Sequence, residues 1–243
     1  MIISTDAIVL RTFDYRETSK IATFFTLEKG KVSGVMKGIR KDPRKFGSSV
    51  DRFSVNGIVY YEYSHSTLHL ISQCDLKQYF FKLREEYRKN VAANYILELV
   101  DSIMAPELPN QQIYELMVDY LNTLEVSSDI DKLVHAFQIK VLLYSGFRPH
   151  IDSCVKCGKK IDGRVRFSMR LGGLVCPTCP TRETSFVVVS KGAIASMLYI
   201  ESHKWSECIK LKLHKEIQQE LKFILNNFLV YHLEKRIKAG KYL

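Results

Sequence analysis

The chain has 243 residues, 46 % of them hydrophobic and 26 % charged, with a formal net charge of +10. That composition excludes a disordered polyelectrolyte, and the lack of any run of about eighteen apolar residues excludes a helical membrane span. The opening MIISTDAIVL has no basic stretch and no small-residue cleavage site, and Asp6 interrupts it, so no signal peptide is predicted. Cys74 and Cys208 stand far apart, and the other four cysteines form two close pairs. This usage predicts a reducing, cytoplasmic setting and not a disulfide framework.

The charge is unevenly placed: +4 over residues 1–80, −4 over 81–153, +5 over 154–183 and +5 over 184–243. Two basic regions flanking an acidic middle fit a polyanionic partner, because each neutralised phosphate releases condensed counterions. A basic surface without a partner has the same composition, so charge alone does not choose between them.

From Thr5 to Tyr15 the residues alternate, with Ala7, Val9, Arg11 and Phe13 on one side and Ile8, Leu10 and Thr12 on the other. Ile21 to Leu27 reads as a second strand, Glu28-Lys29-Gly30 as a hairpin turn, and Lys31 to Met36 as a third strand. Val55 to Tyr63 and Leu68 to Asp75 supply two more, around the polar turn Ser64-His65-Ser66. Five short strands without intervening helices predict a closed β-barrel, an OB-fold first and an SH3-like barrel as the alternative. After Lys77 the period becomes helical. Val91, Tyr95, Ile96, Leu99, Val100 and Ile103 form one stripe, stopped by Pro106 and Pro109. Ile113 to Leu124 and Ile130 to Tyr144 form two more, the last ended by Gly146. These stripes are read as core packing.

The next segment is Cys154-Val-Lys-Cys157, eighteen residues, then Cys176-Pro-Thr-Cys179. Paired CxxC turns at this spacing predict a four-cysteine zinc site, because each short turn aims two thiolates at one tetrahedral ion. Gly158 suits the first turn, and Pro177 and Pro180 stiffen the second. The rival reading is two redox motifs or ordinary thiols, against which the paired spacing argues. A zinc held by four cysteines has no open position, so the predicted role is structural. Short strands are expected at Val165–Ser168 and Leu174–Cys176. Ser190 is read as the N-cap of a helix to about Ile200. A long amphipathic helix through Ile217, Leu221, Ile224, Leu225, Phe228 and His232 follows, with His232 a boundary residue and not a ligand. The basic tail KRIKAGKYL is expected to fray. The expected organisation is α+β: an OB-fold nucleic-acid-binding domain over 1–78, then an α-helical domain over 79–243 with a zinc module at about 150–182.

Between the third and fourth strands lies KGIRKDPRKF, with Lys37, Arg40, Lys41, Arg44 and Lys45 against Asp42 alone. A cationic loop on a small barrel is how such folds track a nucleic-acid backbone, and nearby aromatics (Phe13, Tyr15, Phe25, Tyr61, Tyr63) are candidates for stacking on bases. For each aromatic taken singly, burial in the barrel is the stronger expectation. Lys156, Lys159, Lys160, Arg164, Arg166 and Arg170 in the cysteine segment form a possible second DNA-binding surface, or simply solubilise a small module. No GxxxxGK[ST], HExxH or GxSxG pattern occurs, His65 and His69 share no helical face, and the carboxylates form no acid–base pair, so no enzyme is expected.

The stretch TDAIVLRTFDYRETSKIATFFTLEKGKVSGVMKGIRK resembles the N-terminal barrel of the bacterial RecO family of recombination mediators. The likeness rests on the Leu10-Arg11 pair, Tyr15, Glu17 and Ser19, the hairpin residues Thr26, Glu28 and Gly30, and the basic Lys37 to Lys41. GFRPHIDSCVKCG is similar to that family's entry into its cysteine module, through Gly146, Pro149, Cys154, Cys157 and Gly158. The resemblance runs the length of the chain. It implies a non-enzymatic DNA-repair protein that binds single- and double-stranded DNA, anneals complementary strands and helps load recombinase onto DNA coated by single-strand-binding protein. It further implies RecR, in some lineages RecF, and the C-terminal tail of single-strand-binding protein as partners, and a cytoplasmic, nucleoid-associated location. The alternative from another class is a zinc-ribbon regulator that recognises a defined nucleic-acid sequence.

Overall fold

The structure is a computed structural model that describes residues 1–42, 46, 50–161, 165–180 and 186–243. The chain divides into two compact units, Met1–Ser128 with Lys238–Leu243, and Asp129–Ile237.

The first unit begins with five strands: β1 (Ile2–Tyr15), β2 (Ser19–Thr26), β3 (Gly30–Met36), β4 (Val55–Tyr61) and β5 (Leu68–Gln78). They close in the order β1-β2-β3-β5-β4, with β4 returning to β1. Every pairing is antiparallel except β3 with β5, which run parallel through Ser33–Leu68, Gly34–His69 and Val35–Leu70. This is the five-stranded Greek-key barrel of the OB type. Its interior is filled by Ala7, Val9, Ala22, Phe24, Val32, Met36, Ile58, Tyr60, Ile71 and Cys74, alternate positions as the pleat requires except on β5, where a register shift against β4 sets Ile71 and Cys74 three apart. Gly30 closes the β2–β3 hairpin at φ +63°, and its missing Cβ lets the backbone of Leu108 approach.

The helical residues start with the short α1 (Lys82–Glu85) and then α2 (Tyr87–Ile103), α3 (Gln111–Val126) and, in the second unit, α4 (Ile130–Tyr144). The starts of α3 and α4 are capped by side chains: Asn110 accepts from Ile113 N and Asp129 from Lys132 N. Pro106 and Pro109 lie in the α2–α3 connection, which runs beside β3 through a Lys31–Pro106 bridge and the Glu107 N–Lys31 O bond of 3.1 Å. The tail departs from expectation. Lys238–Tyr242 forms a 3₁₀ turn packed on α2, its Lys238 and Ala239 N–H groups donating to the Glu98 carboxylate at 2.8 and 3.1 Å, and Gly240 lies against Tyr95.

In the second unit α4 is buried along most of its length and packs with α5 (Lys191–Ser202) and α7 (Lys215–Leu233), the short α6 (Trp205–Cys208) lying between them in sequence. Ser190 caps α5 through Ala193 N. Buried Lys140 is satisfied by the carbonyls of Glu201 and His203, at 3.1 and 2.5 Å, where α5 ends. The cysteine segment forms a three-stranded sheet ordered β7-β6-β8, from β6 (Val165–Ser168), β7 (Gly173–Val175) and β8 (Val187–Val189). Phe167 of β6 meets Phe228 of α7 edge to face at 5.9 Å, and His232 lies against Gly172, as a boundary residue.

Candidate nucleic-acid interface and metal centre

Strict alternation along β1 would put Arg11 and Phe13 inside the barrel with Ala7 and Val9. A β-bulge between Val9 and Arg11 prevents this: Val9 pairs with Phe24, but Arg11 pairs with Thr23. The extra residue, Leu10, flips the face, and Arg11 and Phe13 emerge on the outside, 53 % of the Arg11 side chain and 51 % of Phe13 exposed. There they join two rows across the sheet. One runs Arg11–Thr23–Ser33–Leu68, the other Phe13–Ile21–Val35–Leu70. In the first row Arg11 Nε donates to Thr23 Oγ1 at 3.3 Å, and Thr23 and Ser33 share a hydroxyl bond of 3.0 Å.

The first row, with Phe13 and Ile21 of the second, floors an open cleft of about 510 Å³ bounded by Lys31, Thr67, Pro106 and Glu107. It therefore offers an exposed aromatic ring, hydroxyls and cations on the β2–β3 face, beside the β4–β5 loop, which is the surface OB-folds use for single strands. Two carboxylates temper the charge. Lys31 Nζ sits 3.1 Å from Asp101 Oδ1 as an ion pair without hydrogen-bond alignment, and donates to the Asp101 carbonyl at 2.6 Å. Glu107 on the far wall lies 3.6 Å from His69 Nε2. His69, buried and stacked on Tyr60 at 5.5 Å, accepts from Tyr63 N through Nδ1 and so pins the β4–β5 loop.

The basic loop follows β3 at one end of this face, where Lys20 pairs with Met36. Lys37, Arg40 and Lys41 are exposed. Arg40 is tied to the β1–β2 turn by its N–H to Thr18 O at 3.0 Å, by Nη1 to Arg16 O at 3.2 Å and by an ion pair with Asp14 at 3.6 Å. Arg44 and Lys45 lie outside the described residues. Of the candidate stacking aromatics, Phe13, Tyr61 and Tyr63 are exposed, Tyr15 is half-buried under the Arg16 guanidinium at 5.1 Å, and Phe25 is fully buried.

In the cysteine segment all four Sγ atoms lie within 4.8 Å of one another, with Cys154–Cys179 at 3.9 Å and Cys157–Cys176 at 3.8 Å. A sulfur–sulfur bond needs about 2.05 Å. A tetrahedron of Zn–S bonds of about 2.3 Å has edges of about 3.8 Å, so the thiols fit a metal centre. Backbone N–H groups support it. Gly158 N donates to Cys154 O at 2.8 Å in the first turn, and Cys176 N points at Cys154 Sγ at 3.4 Å. Burial pushes the Cys154 thiol up, but bonds from the Cys176, Cys157 and Lys156 backbone outweigh it and bring the group down to about 6. Cys179 is pushed up to about 12, foremost by bonding to Cys176 and Cys157. Four thiols this close resist becoming four thiolates without a cation among them.

The basic residues here divide. Lys159, Lys160 and Arg170 are exposed, and Arg164 lies outside the described residues. Arg166 is turned inward: Nη2 donates to Cys176 O at 2.9 Å and Pro177 O at 3.2 Å, with its guanidinium 4.9 Å from the Phe186 ring. It braces the second cysteine turn.

Residues 1–80 match the family model Recombination protein O N terminal, and residues 84–241 match Recombination protein O C terminal. The chain belongs to the RecO family. Among its relatives, the DNA repair protein RecO of Alkaliphilus metalliredigens is 28 % identical over 236 residues, covering 97 % of this chain and 95 % of that protein. The DNA repair protein RecO of Desulfatibacillum aliphaticivorans is 30 % identical over 247 residues, with 99 % and 96 % covered. That of Desulforamulus reducens is 29 % identical over 239 residues, with 98 % and 92 % covered. RecO membership agrees with the closed barrel, the helices that follow and the four gathered cysteines. Among the described residues no helix is long and apolar enough to cross a membrane.

The sequence points to the Lys37–Lys45 loop as the candidate interface and does not single out Arg11, Thr23, Lys31 and Ser33, which line the cleft, or Asp101 beside them. The signal available was an arginine directly after the apolar run Ala7-Ile8-Val9-Leu10.

Proposed function

We propose that this RecO-family protein is a non-enzymatic recombination mediator. In this reading it binds single- and double-stranded DNA, anneals complementary strands and helps load recombinase onto DNA coated by single-strand-binding protein. The observation that carries it is the cleft over β2 and β3, which puts exposed Phe13 beside Arg11 and a hydroxyl row, with a cationic loop at its end. A strand enters with a base against Phe13, a contact of about 1–3 kcal/mol, and its phosphates meet Arg11, Lys37, Arg40 and Lys41, with Arg44 and Lys45 further along the same loop.

Annealing requires two polyanions to approach. A protein with two cationic surfaces lowers their repulsion while leaving base edges free. The barrel face is the first surface, and the exposed Lys159, Lys160 and Arg170 of the cysteine module contribute to the second. Cys154, Cys157, Cys176 and Cys179 hold one zinc with a structural role, supported by their thiol spacing. RecR, in some lineages RecF, and the tail of single-strand-binding protein are the protein partners of this reading, in a cytoplasmic, nucleoid-associated setting.

The test is annealing of arbitrary complementary oligonucleotides, bare and coated with single-strand-binding protein. The wild type accelerates both, while Phe13→Ala combined with Arg11→Gln slows both. No acceleration by the wild type, or strong preference for one sequence, overturns the reading.

A further inference from the structure

Behind two of the cleft's lining cations, Arg11 and Lys31, lies a group that does not suit a phosphate-binding surface. Asp101 reaches from α2 to the cations of the floor and wall: its Oδ1 is 3.1 Å from Lys31 Nζ and its Oδ2 3.7 Å from Arg11 Nε. Its carbonyl takes a further bond from Lys31 Nζ at 2.6 Å. The carboxylate is 19 % exposed and Lys31 only 14 %, so this pair is shielded from bulk water and weakly screened by salt. Arg11 differs. It touches Asp101 through Nε, at the inner end of the guanidinium, with half of its side chain exposed over the cleft.

A carboxylate bridging a lysine and an arginine occupies the position a phosphate oxygen would take between them. We infer that Asp101 is a built-in competitor for the nucleic-acid phosphate: it holds Lys31 and part of Arg11, and so sets how tightly the barrel cleft grips a strand. The inference rests on the cleft being a DNA-binding surface and adds to it the residue that limits affinity there. Lys31 keeps its hydrogen bond to the Asp101 backbone whatever side chain follows, so the carboxylate is not needed to satisfy that ammonium. What the carboxylate adds is a negative charge at the point where a strand brings its own. A mediator that must release DNA to a recombinase has a use for such a brake, because a cleft without it exchanges strands more slowly.

Asp101→Asn keeps shape and removes the charge. Fluorescence anisotropy of a labelled single-stranded oligonucleotide, titrated at several salt concentrations, reads the effect. Each cation freed to meet a phosphate steepens the slope of log affinity on log salt by about 0.7 on single strands. One or two such cations, with equal binding at about 1 M salt, give roughly 5- to 25-fold tighter binding at about 0.1 M. Adding Arg11→Gln to Asp101→Asn cancels most of the gain. Should Asp101→Asn melt too low to assay, Asp101→Ser read at low temperature carries the same expectation. Unchanged or weakened binding in a folded Asp101 variant overturns the inference. If Arg11→Gln and Phe13→Ala singly weaken binding in that case, the cleft reading stands and only the brake falls. If neither does, both fall together.

Discussion

The loop after β3 offers the sharpest measurement of how DNA is held. Lys37, Arg40 and Lys41 are exposed, and among the described residues only the Arg40 side chain is engaged, by Asp14 at 3.6 Å and the Arg16 carbonyl at 3.2 Å. Replacing all three with alanine removes at least two uncommitted cations and at most three. On single strands each lost phosphate contact flattens the log–log salt slope by about 0.7, so the slope falls by about 1.4 to 2.1. Over a fourfold salt range, about 50 to 200 mM, a change of that size alters the loss of affinity by roughly 7- to 18-fold. Anisotropy of a labelled oligothymidine at four salt concentrations measures it. Melting temperature is the control and falls by no more than about 3 to 6 degrees, since three exposed substitutions cost at most about 0.5 kcal/mol each. A slope within about 0.3 of wild type, below half of one contact, removes the loop from the interface.

Three further outcomes are expected. Cys154→Ser lowers the metal content from about one zinc per chain and lowers the melting temperature of the Asp129–Ile237 unit, while the barrel stays folded; full zinc by elemental analysis in that variant refutes the ligand set. Burial, with a smaller contribution from Asp75, pushes the Cys74 thiol from 9.0 up to about 12, so the folded chain keeps a proton that the unfolded chain releases. That stability is whole below about pH 9 and is lost between about 9 and 12, by up to about 1.4 kcal/mol per pH unit. Urea unfolding from about pH 8 to 10.5 records the decline, and Cys74→Ala must flatten it if the thiol is the cause. Glu98→Ala deletes both acceptors of the Lys238 and Ala239 N–H groups, a loss of about 1–2 kcal/mol from the docking of that segment; amide exchange over residues 238–242 speeds up, and unchanged protection there contradicts the capping role.

Much of the barrel was legible in the sequence, because its strands obey a period of two and its hairpin carries Glu28-Lys29-Gly30. The bulge at Leu10 was not. It changes the parity of β1 without changing its composition, and the faces of Arg11 and Phe13 depend on that parity. The cysteine cluster could be read from spacing alone, since two CxxC turns leave few other ways to satisfy four thiols. Its third strand, Val187–Val189, is too short to show a period. Arg166 looked like any other surface cation, and only the folded knuckle reveals the carbonyls it serves. The tail was misjudged for a similar reason: its anchor is a pair of backbone N–H groups and a glycine beside Tyr95, and none of these leaves a hydrophobic pattern.

That anchored tail has a consequence for the order of synthesis. Lys238–Leu243 complete the unit built from Met1–Ser128, yet the ribosome makes them only after all of Asp129–Ile237. The barrel and its first helices can assemble early, but the surface of α2 around Tyr95 and Glu98 stays bare while more than a hundred residues are added. In sequence, the second unit is thereby an insertion within the first. The clasp on α2 closes only once all of Asp129–Ile237 has been made.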